Sequence, residues 1–209
     1  MDLEDYIESH ISLEPEILKN IDRATNLRHI NGRMCSGHIQ GRLLKMLVSM
    51  IKPKKVLELG TFTGYSALCM AEALDDDAIL HTIEADDELE EEIISNLAKS
   101  PHGKKVKLHI GDALTVLDKF DQLTFDLALI DADKREYPQY FGQVLKLIKP
   151  GGYILADNTL WDGHVAEAGK HSPQTRGILE FNDLVASTPG IEVSIIPLRD
   201  GLTLIHRLP

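Results

Sequence analysis

The sequence has little cysteine, little positive charge and no long apolar run. Cys35 and Cys69 are its two cysteines, so no disulfide framework is expected and a reducing, cytoplasmic location is favoured. The 33 acidic residues outnumber the 22 basic ones and leave a net charge of −11, which disfavours a non-specific hold on nucleic acid phosphates. No apolar stretch approaches the ~20 residues that a membrane helix needs. The acidic start, from Met1 to Asp5, lacks the apolar segment of a signal peptide.

The order of the apolar segments predicts an α/β fold. The first fifty or so residues show apolar positions at helical spacing and no strand pattern. Short apolar runs then alternate with helical segments, which favours a parallel sheet with helices on both faces. The runs cover residues 55–59, 79–83, 105–110, 125–130 and 153–156. Residues 192–197 and 202–206 flank a turn and predict a final antiparallel hairpin. We expect one domain, 1–209, with a helical N-terminal cap (1–50) and an α/β core (51–209).

A glycine-rich turn follows the first predicted strand. Gly60 and Gly64 lie within residues 58–66, at the start of a predicted helix. Such a turn lets the backbone approach a ligand, and the helix start favours a carboxylate. Phe62 occupies the middle position of the dinucleotide-binding glycine fingerprint, so that fingerprint is absent. Taken alone, the segment is also consistent with an ordinary strand-to-helix turn.

Acidic residues follow the second and third predicted strands, at the sheet edge where open α/β sheets bind ligands. Glu84 can accept hydrogen bonds from the two hydroxyls of a ribose, although a solvated charge is the alternative because three more acids follow it closely. Asp112 precedes Ala113 and can recognise an adenine edge, cap the next helix, or do both.

Oxygen donors follow the fourth and fifth predicted strands. Asp131 comes after one strand, and Asp157 and Asn158 come after the next. In the usual strand order these strands are neighbours, so the three side chains converge beside the glycine-rich turn. Such hard donors suit Mg²⁺, Mn²⁺ or Ca²⁺. Lys134 is a candidate general base because a lysine near other positive charge holds its proton less tightly; the alternative is a surface lysine beside Arg135.

Together these segments resemble the metal-dependent class I O-methyltransferases, which include catechol O-methyltransferase, plant caffeoyl-CoA O-methyltransferase and many bacterial relatives. The segments that carry the resemblance are residues 58–66, 111–113, 130–134 and 156–158. It extends to residues 176–182 and 198–207, and it runs from about Met34 to the end. Residues 161–165 are most similar to the bacterial members. The insertions with which plant members hold a coenzyme A tail have no counterpart that we can match, so the acceptor stays open.

The resemblance implies a Rossmann-like, seven-stranded sheet with the last strand antiparallel. It also implies S-adenosylmethionine as cofactor, a divalent cation that is most often Mg²⁺, and a homodimer whose helical N-terminus helps to roof the substrate pocket. The cofactor-binding residues would be Met34, Glu58, Gly60, Thr61, Ser66, Glu84, Asp112, Ala113 and Asp131. The metal ligands would be Asp131, Asp157 and Asn158, with Lys134 as the catalytic base.

The expected reaction is methyl transfer to one hydroxyl of a catechol-like aromatic small molecule. Cation chelation would lower the pKa of that hydroxyl and orient it, and much of the catalysis would be positioning. Tyr65, Tyr137 and Trp161 either flank the flat ring of the acceptor or pack in the core.

Three other functions fit less well. The absent dinucleotide fingerprint counts against a nicotinamide-dependent oxidoreductase. The acidic charge counts against an RNA methyltransferase, although another small-molecule acceptor stays open. The intact set of acids with Lys134 counts against a non-catalytic binding module.

Overall fold

Helices and strands alternate along the chain in the computed structural model, which describes residues 2–209. The helices are α1 (Leu3–Glu8), α2 (Glu16–Arg28), α3 (Gly37–Ile51), α4 (Tyr65–Ala71), α5 (Glu90–Lys99), α6 (Ala113–Leu117), α7 (Tyr137–Leu147) and α8 (Pro173–Ser187). The strands are β1 (Lys55–Leu59), β2 (Ile79–Glu84), β3 (Val106–Ile110), β4 (Phe125–Ile130), β5 (Ile148–Asp157), β6 (Ile191–Ile196) and β7 (Leu202–Arg207). Within the described residues no strand precedes β1, as the sequence predicts. No described helix is both long and apolar enough to span a bilayer.

The strands form one seven-stranded mixed sheet in the order β3-β2-β1-β4-β5-β7-β6, and helices pack around it. β2 pairs in parallel with β3, and β4 pairs in parallel with both β1 and β5. β7 runs antiparallel to β5 and to β6. The predicted fold class, with its antiparallel last strand, is therefore confirmed. The predicted neighbour relation of the first, fourth and fifth strands is confirmed as well.

The boundary between α7 and β5 differs in detail from the sequence-based expectation. Residues 149–152 do end the helix, because α7 stops at Leu147. The same residues also belong to β5, which begins at Ile148 and pairs there with Phe125. Gly151 adopts a positive φ of 81°, and the pairing register shifts between Phe125 and Leu127. The strand therefore starts with an irregular segment that composition alone reads as a loop.

The chain divides into two compact units. The first unit contains the residues up to Lys54 together with Thr61–Ile110. Its core includes an apolar cluster to which both cysteines belong. Both are buried and neither forms a disulfide, and burial is the main cause that raises the pKa of Cys69 to about 12. The two cysteines are therefore packing residues of the first unit.

The second unit contains Lys55–Gly60 and Gly111–Pro209. Aromatic rings from two helices fill part of its core: the Phe181 ring of α8 meets the Tyr137 and Phe141 rings of α7 edge-on, with centroids 5.4 and 5.8 Å apart. Gly177 lets α8 lie close to the backbone of Lys134, because a Cβ at position 177 would be 2.2 Å from the Lys134 carbonyl oxygen. The side chain of Lys134 thus starts from a backbone that α8 holds in place.

Candidate functional site

In the first unit, Glu84 holds the glycine-rich turn. Its Oε2 accepts hydrogen bonds from the Thr61 and Phe62 amides at 3.1 and 2.8 Å. Its Oε1 accepts one from the Asp86 amide at 3.0 Å. A carboxylate offers about four acceptor positions, so a ribose diol would have to share this group with the turn or displace one of these amides. The predicted ribose contact stays a prediction, and the structure adds a second task for Glu84.

The other predicted cofactor residues of this unit lie on the same turn, at the start of α4, or after α2. Thr61 is buried, and its hydroxyl lies 2.5 Å from that of Thr82. Ser66 is buried in the first turn of α4, which follows Gly64 at a φ of 84°. Met34 lies in a 3₁₀ turn after α2, and 57% of its surface is exposed. An exposed methionine in a turn can cover a ligand without first breaking packed contacts.

In the second unit, the ends of adjacent strands bring Gly60, Asp131 and Asp157 to one edge. Leu59 pairs with Ile130, and Ile130 pairs with Ala156, so these three residues each follow a paired position. Gly60 is required by the packing itself, since a Cβ would lie 2.1 Å from the Asp131 carbonyl oxygen. A larger residue at position 60 would separate the two strand ends.

Lys134 lies within a hydrogen-bonded chain at this edge. Its Nζ donates to Asp131 Oδ1 and to the Tyr137 hydroxyl, both at 2.8 Å. The Tyr137 hydroxyl in turn lies 2.9 Å from the Asp157 carbonyl oxygen and 3.2 Å from that of Ile130. Only 11% of the Lys134 side chain is exposed, so Lys134 is not a surface lysine.

Tyr137 is the member of this chain whose role the sequence did not reveal. It is fully buried. Burial raises the pKa of its phenol well above the ordinary value, and the charges of Asp131, Asp157 and Asp133 raise it further. The phenol therefore stays protonated and connects Lys134 to the ends of β4 and β5. Its spacing of three residues from Lys134 was the available signal. Tyr137 and Tyr65 are 0% and 2% exposed, so both pack in the core; a contact of either ring with the acceptor stays a prediction.

Asp157 and Asn158 form the turn that leaves β5. Asp157 is 4% exposed, and its Oδ1 accepts the Asn158 amide at 2.8 Å. Asn158 has a φ of 59°, a left-handed conformation that asparagine tolerates better than most residues. Thr159 is held next to them: its amide donates to the Gly201 carbonyl at 3.1 Å, and its carbonyl accepts from Asn182 Nδ2 at 2.9 Å. The hairpin and α8 thus fix the turn that carries two predicted metal ligands.

The predicted metal ligands suit a hard cation in their chemistry, although they include few charged groups. Among the described residues there is no group of three or more His, Cys, Asp or Glu side chains that could hold a metal ion. The predicted set has two carboxylates and one amide at the ends of paired strands. Such an oxygen set fits Mg²⁺, which keeps several water ligands. Asp131 already pairs with Lys134 through its Oδ1, so as a metal ligand it would contact both Lys134 and the cation.

The remaining predicted cofactor residues of the second unit are Glu58, Asp112 and Ala113. Glu58 is fully buried within β1. Asp112 caps α6, because its Oδ1 accepts from the Thr115 amide at 2.9 Å and the Thr115 hydroxyl at 2.7 Å. The bond from the Thr115 hydroxyl is the main cause that holds the pKa of Asp112 below its ordinary value, and the bond from the Thr115 amide adds to it. Ala113 is 7% exposed. The capping role is present, and adenine recognition stays a prediction.

Comparisons with known proteins agree on one family. A family model described as O-methyltransferase matches residues 8–208. The chain is 35% identical over 206 residues to the caffeoyl-CoA O-methyltransferase of Petroselinum crispum, covering 93% of this chain and 85% of that protein. The O-methyltransferase TomG of Streptomyces achromogenes, solved in complex with SAM, has a TM-score of 0.91 and 30% identity, covering 98% of this chain and 95% of TomG. An O-methyltransferase of Bacillus cereus in complex with SAH has a TM-score of 0.87 and 27% identity, covering 97% and 96%.

Proposed function

Because the chain belongs to the O-methyltransferase family and is an S-adenosylmethionine-dependent O-methyltransferase, we propose that its acceptor is a catechol-like small molecule and that a divalent cation assists the transfer. The observation that carries the proposal is the arrangement of Lys134, Tyr137 and two aspartates at the ends of β4 and β5. The caffeoyl group in the names of the relatives is itself a ring with two adjacent hydroxyls, which supports a catechol-like acceptor.

The cofactor supplies an electrophilic methyl carbon on a sulfonium. We assign its binding to Met34, Glu58, Gly60, Thr61, Ser66, Glu84, Asp112, Ala113 and Asp131, as the resemblance implies. Glu84 already orders the Thr61 and Phe62 amides, and Gly60 allows the close approach of β1 to the Asp131 backbone. The glycine-rich turn and the end of β1 are therefore each held in position before a ligand arrives, which lowers the conformational entropy lost on binding.

A divalent cation, when bound, lowers the pKa of a coordinated hydroxyl and orients it. Asp131, Asp157 and Asn158 would hold it, with Mg²⁺ favoured over Mn²⁺ and Ca²⁺. The support is the parallel register that places Asp131 and Asp157 directly after paired residues. The buried position of Asp157 supports it too, since a buried carboxylate is retained where it is paired or coordinates a metal.

Lys134 Nζ would take the proton of the acceptor hydroxyl. A neutral amine has two hydrogens and one lone pair. The two hydrogens can remain with Asp131 Oδ1 and the Tyr137 hydroxyl, and the lone pair then points in the remaining tetrahedral direction. Lys134 can therefore receive the proton without breaking either hydrogen bond. The two bonds fix where its lone pair is aimed, which is the main requirement for a general base.

A comparison of two acceptors that differ by one hydroxyl tests this proposal. Caffeic acid carries two adjacent ring hydroxyls and p-coumaric acid carries one, so only caffeic acid can chelate a cation. With S-adenosylmethionine and Mg²⁺ we expect methylation of caffeic acid, little methylation of p-coumaric acid, and loss of both in EDTA. Unchanged transfer in EDTA would overturn the role of the cation. Equal transfer to both acids in Mg²⁺ would overturn the catechol assignment.

A further inference from the structure

Two helices of the first unit hold Thr63, a residue of the glycine-rich turn. Thr25 of α2 places its hydroxyl oxygen 2.9 Å from the Thr63 hydroxyl. Asn96 of α5 donates from Nδ2 to the Thr63 carbonyl at 3.0 Å. The three residues are buried, at 0%, 1% and 7% exposure for Thr25, Thr63 and Asn96. Both the side chain and the carbonyl of Thr63 are thus fixed from outside the turn.

The direction of the hydroxyl bond follows from counting protons. Thr25 donates its one hydroxyl proton to the Ile21 carbonyl at 2.9 Å, because a carbonyl can only accept. A hydroxyl has a single proton, so Thr63 must be the donor in its bond to Thr25. Replacing Thr25 by a residue without a hydroxyl therefore leaves a buried donor on Thr63 with no partner here. An unpaired buried donor costs more than the loss of an average hydrogen bond.

Apolar packing and hydrogen bonds together attach α2 beside the turn: Leu18 and Ile21 lie in the same apolar cluster as Tyr65 of α4. α2 buries only Leu18, Ile21 and Thr25 among its thirteen residues. A groove of about 350 Å³ is lined by residues of both α2 and α5. Further along, His29 lies 2.9 Å from a Glu92 oxygen of α5 and meets the Phe62 ring edge-on at 5.1 Å. The apolar cluster therefore holds α2 against α4 and α5, and the bond from Thr63 to Thr25 is the direct link from α2 to the side chain of the turn.

We infer that Thr25 and Asn96 are positioning residues for the cofactor, acting through Thr63 on the backbone of the glycine-rich turn. The inference rests on the proposed cofactor role of that turn. The conformation of the turn needs contacts from outside it, because Phe62 has a φ of 50°, a left-handed conformation that is costly for a bulky residue. Glu84 holds the Phe62 amide, and Thr25 and Asn96 hold the next residue. Removing either support lets the turn sample other conformations, and cofactor binding must then order it again.

Calorimetric titration of the full chain with S-adenosylmethionine tests the inference. Thr25→Val keeps the side-chain shape and removes the hydroxyl, so we expect the Kd to rise about three- to tenfold, the equivalent of one lost hydrogen bond. Asn96→Ala should act in the same direction. Thr25→Ser keeps the hydroxyl and should restore binding. Ile21→Val is the matched control: it removes one methylene from the same helix, and it should lower the Tm without changing the Kd.

Hydrogen exchange at residues 61–64 gives a second measure that needs no cofactor. We expect faster exchange in Thr25→Val than in Ile21→Val. If wild type binds S-adenosylmethionine while Thr25→Val and Asn96→Ala bind it with unchanged Kd and unchanged exchange, the inference is wrong and the proposed function stands. If the wild type itself binds no S-adenosylmethionine, the assignment of the turn to the cofactor is wrong, and the inference falls with it.

Discussion

At the scale of single residues, the proposed chemistry depends on where Lys134 Nζ is held. Asp131 could be identified from the sequence because it follows a strand end, and Lys134 because it lies nearby. Tyr137 could not, because its contact depends on the 3₁₀ turn at Lys134–Glu136, which leads directly into α7 and directs the Tyr137 hydroxyl back toward Lys134. The spacing of three residues from Lys134 is the one signal in the sequence, and it does not by itself predict this contact.

Replacing Lys134 by methionine tests its role as the base. We expect kcat to fall by about 10²- to 10⁴-fold, the usual contribution of general-base catalysis, with little change in the affinity for S-adenosylmethionine. Arg135→Ala is the matched control, because the neighbouring arginine is 59% exposed in its side chain and pairs only locally with Asp133. Steady-state kinetics with caffeic acid gives the measurement. A Lys134→Met enzyme as active as Arg135→Ala would mean that another group takes the proton.

Glu84 is a predicted site residue that also makes contacts the sequence does not reveal. Its position at the end of β2 is the reason it is predicted to bind the ribose, and this prediction follows from the strand pattern alone. Its bonds to the Thr61 and Phe62 amides arise only when the turn after β1 comes back beside the end of β2. Residues 61 and 84 are far apart in sequence, and the chain carries no local signal for this contact.

At the scale of elements, the C-terminal hairpin is a support for the turn after β5. The Asp200 carbonyl accepts from the Leu160 amide at 2.7 Å, and the Gly201 carbonyl accepts from the Thr159 amide. Gly201 has a φ of 89°, and a Cβ there would lie 2.5 Å from Leu160 Cγ. The hairpin turn therefore lies directly against the segment that follows Asn158.

Gly201→Ala should displace the segment after β5. It adds a steric clash with Leu160 to the cost of a left-handed backbone, so we expect a loss of about 2–3 kcal/mol in unfolding free energy together with a lower kcat. Gly190→Ala is the matched control, since its φ is 77° but a Cβ there meets nothing within 4 Å. Urea unfolding and kinetics of the two variants give the comparison. Equal losses in both would show that the contact with Leu160 is unimportant.

An ion pair between α3 and the end of α4 contributes to stability in a pH-dependent way. Arg42 donates to both oxygens of Glu72, at 3.2 and 2.8 Å. Burial alone would raise the pKa of Glu72, but the bonds from Arg42 and Lys45 outweigh it and leave the pKa below the ordinary 4.5. A depressed carboxyl pKa adds stability above the unfolded-state pKa, and this stability is lost as the pH falls through the folded-state value.

Glu72→Gln should therefore lower the unfolding free energy by about 1–3 kcal/mol at pH 7, because the buried Arg42 loses its charged partner. The difference from wild type should shrink as the pH falls below 4.5, where Glu72 becomes protonated in the unfolded chain. Asp77→Asn is the control: this carboxylate pairs with Lys54 but is 72% exposed, and its loss should matter little. Urea unfolding at several pH values gives the measurement. A difference that does not change with pH would contradict the assignment.

At the scale of the whole molecule, the alternation of strands and helices and the final hairpin followed from apolar spacing and turn residues. The boundaries were less accessible. α1 (Leu3–Glu8) lies within the predicted helical cap 1–50, but its bounds could not be placed, because its residues are all exposed or half-buried and leave no apolar stripe to detect. β5 starts five residues before the predicted strand. Pro150 and the two glycines after it are typical of a loop, but the strand begins earlier because Ile148 pairs with Phe125 of β4.

Several expectations remain predictions at this scale. The single-domain organisation, the assignment of individual site residues, the divalent cation and the homodimer each rest on the sequence pattern or on the resemblance. The O-methyltransferase family is established independently, since the family model covers residues 8–208. The chemical identity of the acceptor is the part that strand order and strand-end residues do not encode.

The most direct test of the account is methyl transfer itself. The purified chain is mixed with S-adenosylmethionine labelled in its methyl group, caffeic acid and Mg²⁺, and the acceptor is recovered for mass spectrometry. The account predicts caffeic acid that carries one labelled methyl group on a ring hydroxyl, formed in step with S-adenosylhomocysteine. S-adenosylmethionine that binds but leaves every ring hydroxyl unmethylated would contradict the catechol-like acceptor, and labelled methyl on a carbon or nitrogen acceptor instead would contradict O-methyl transfer.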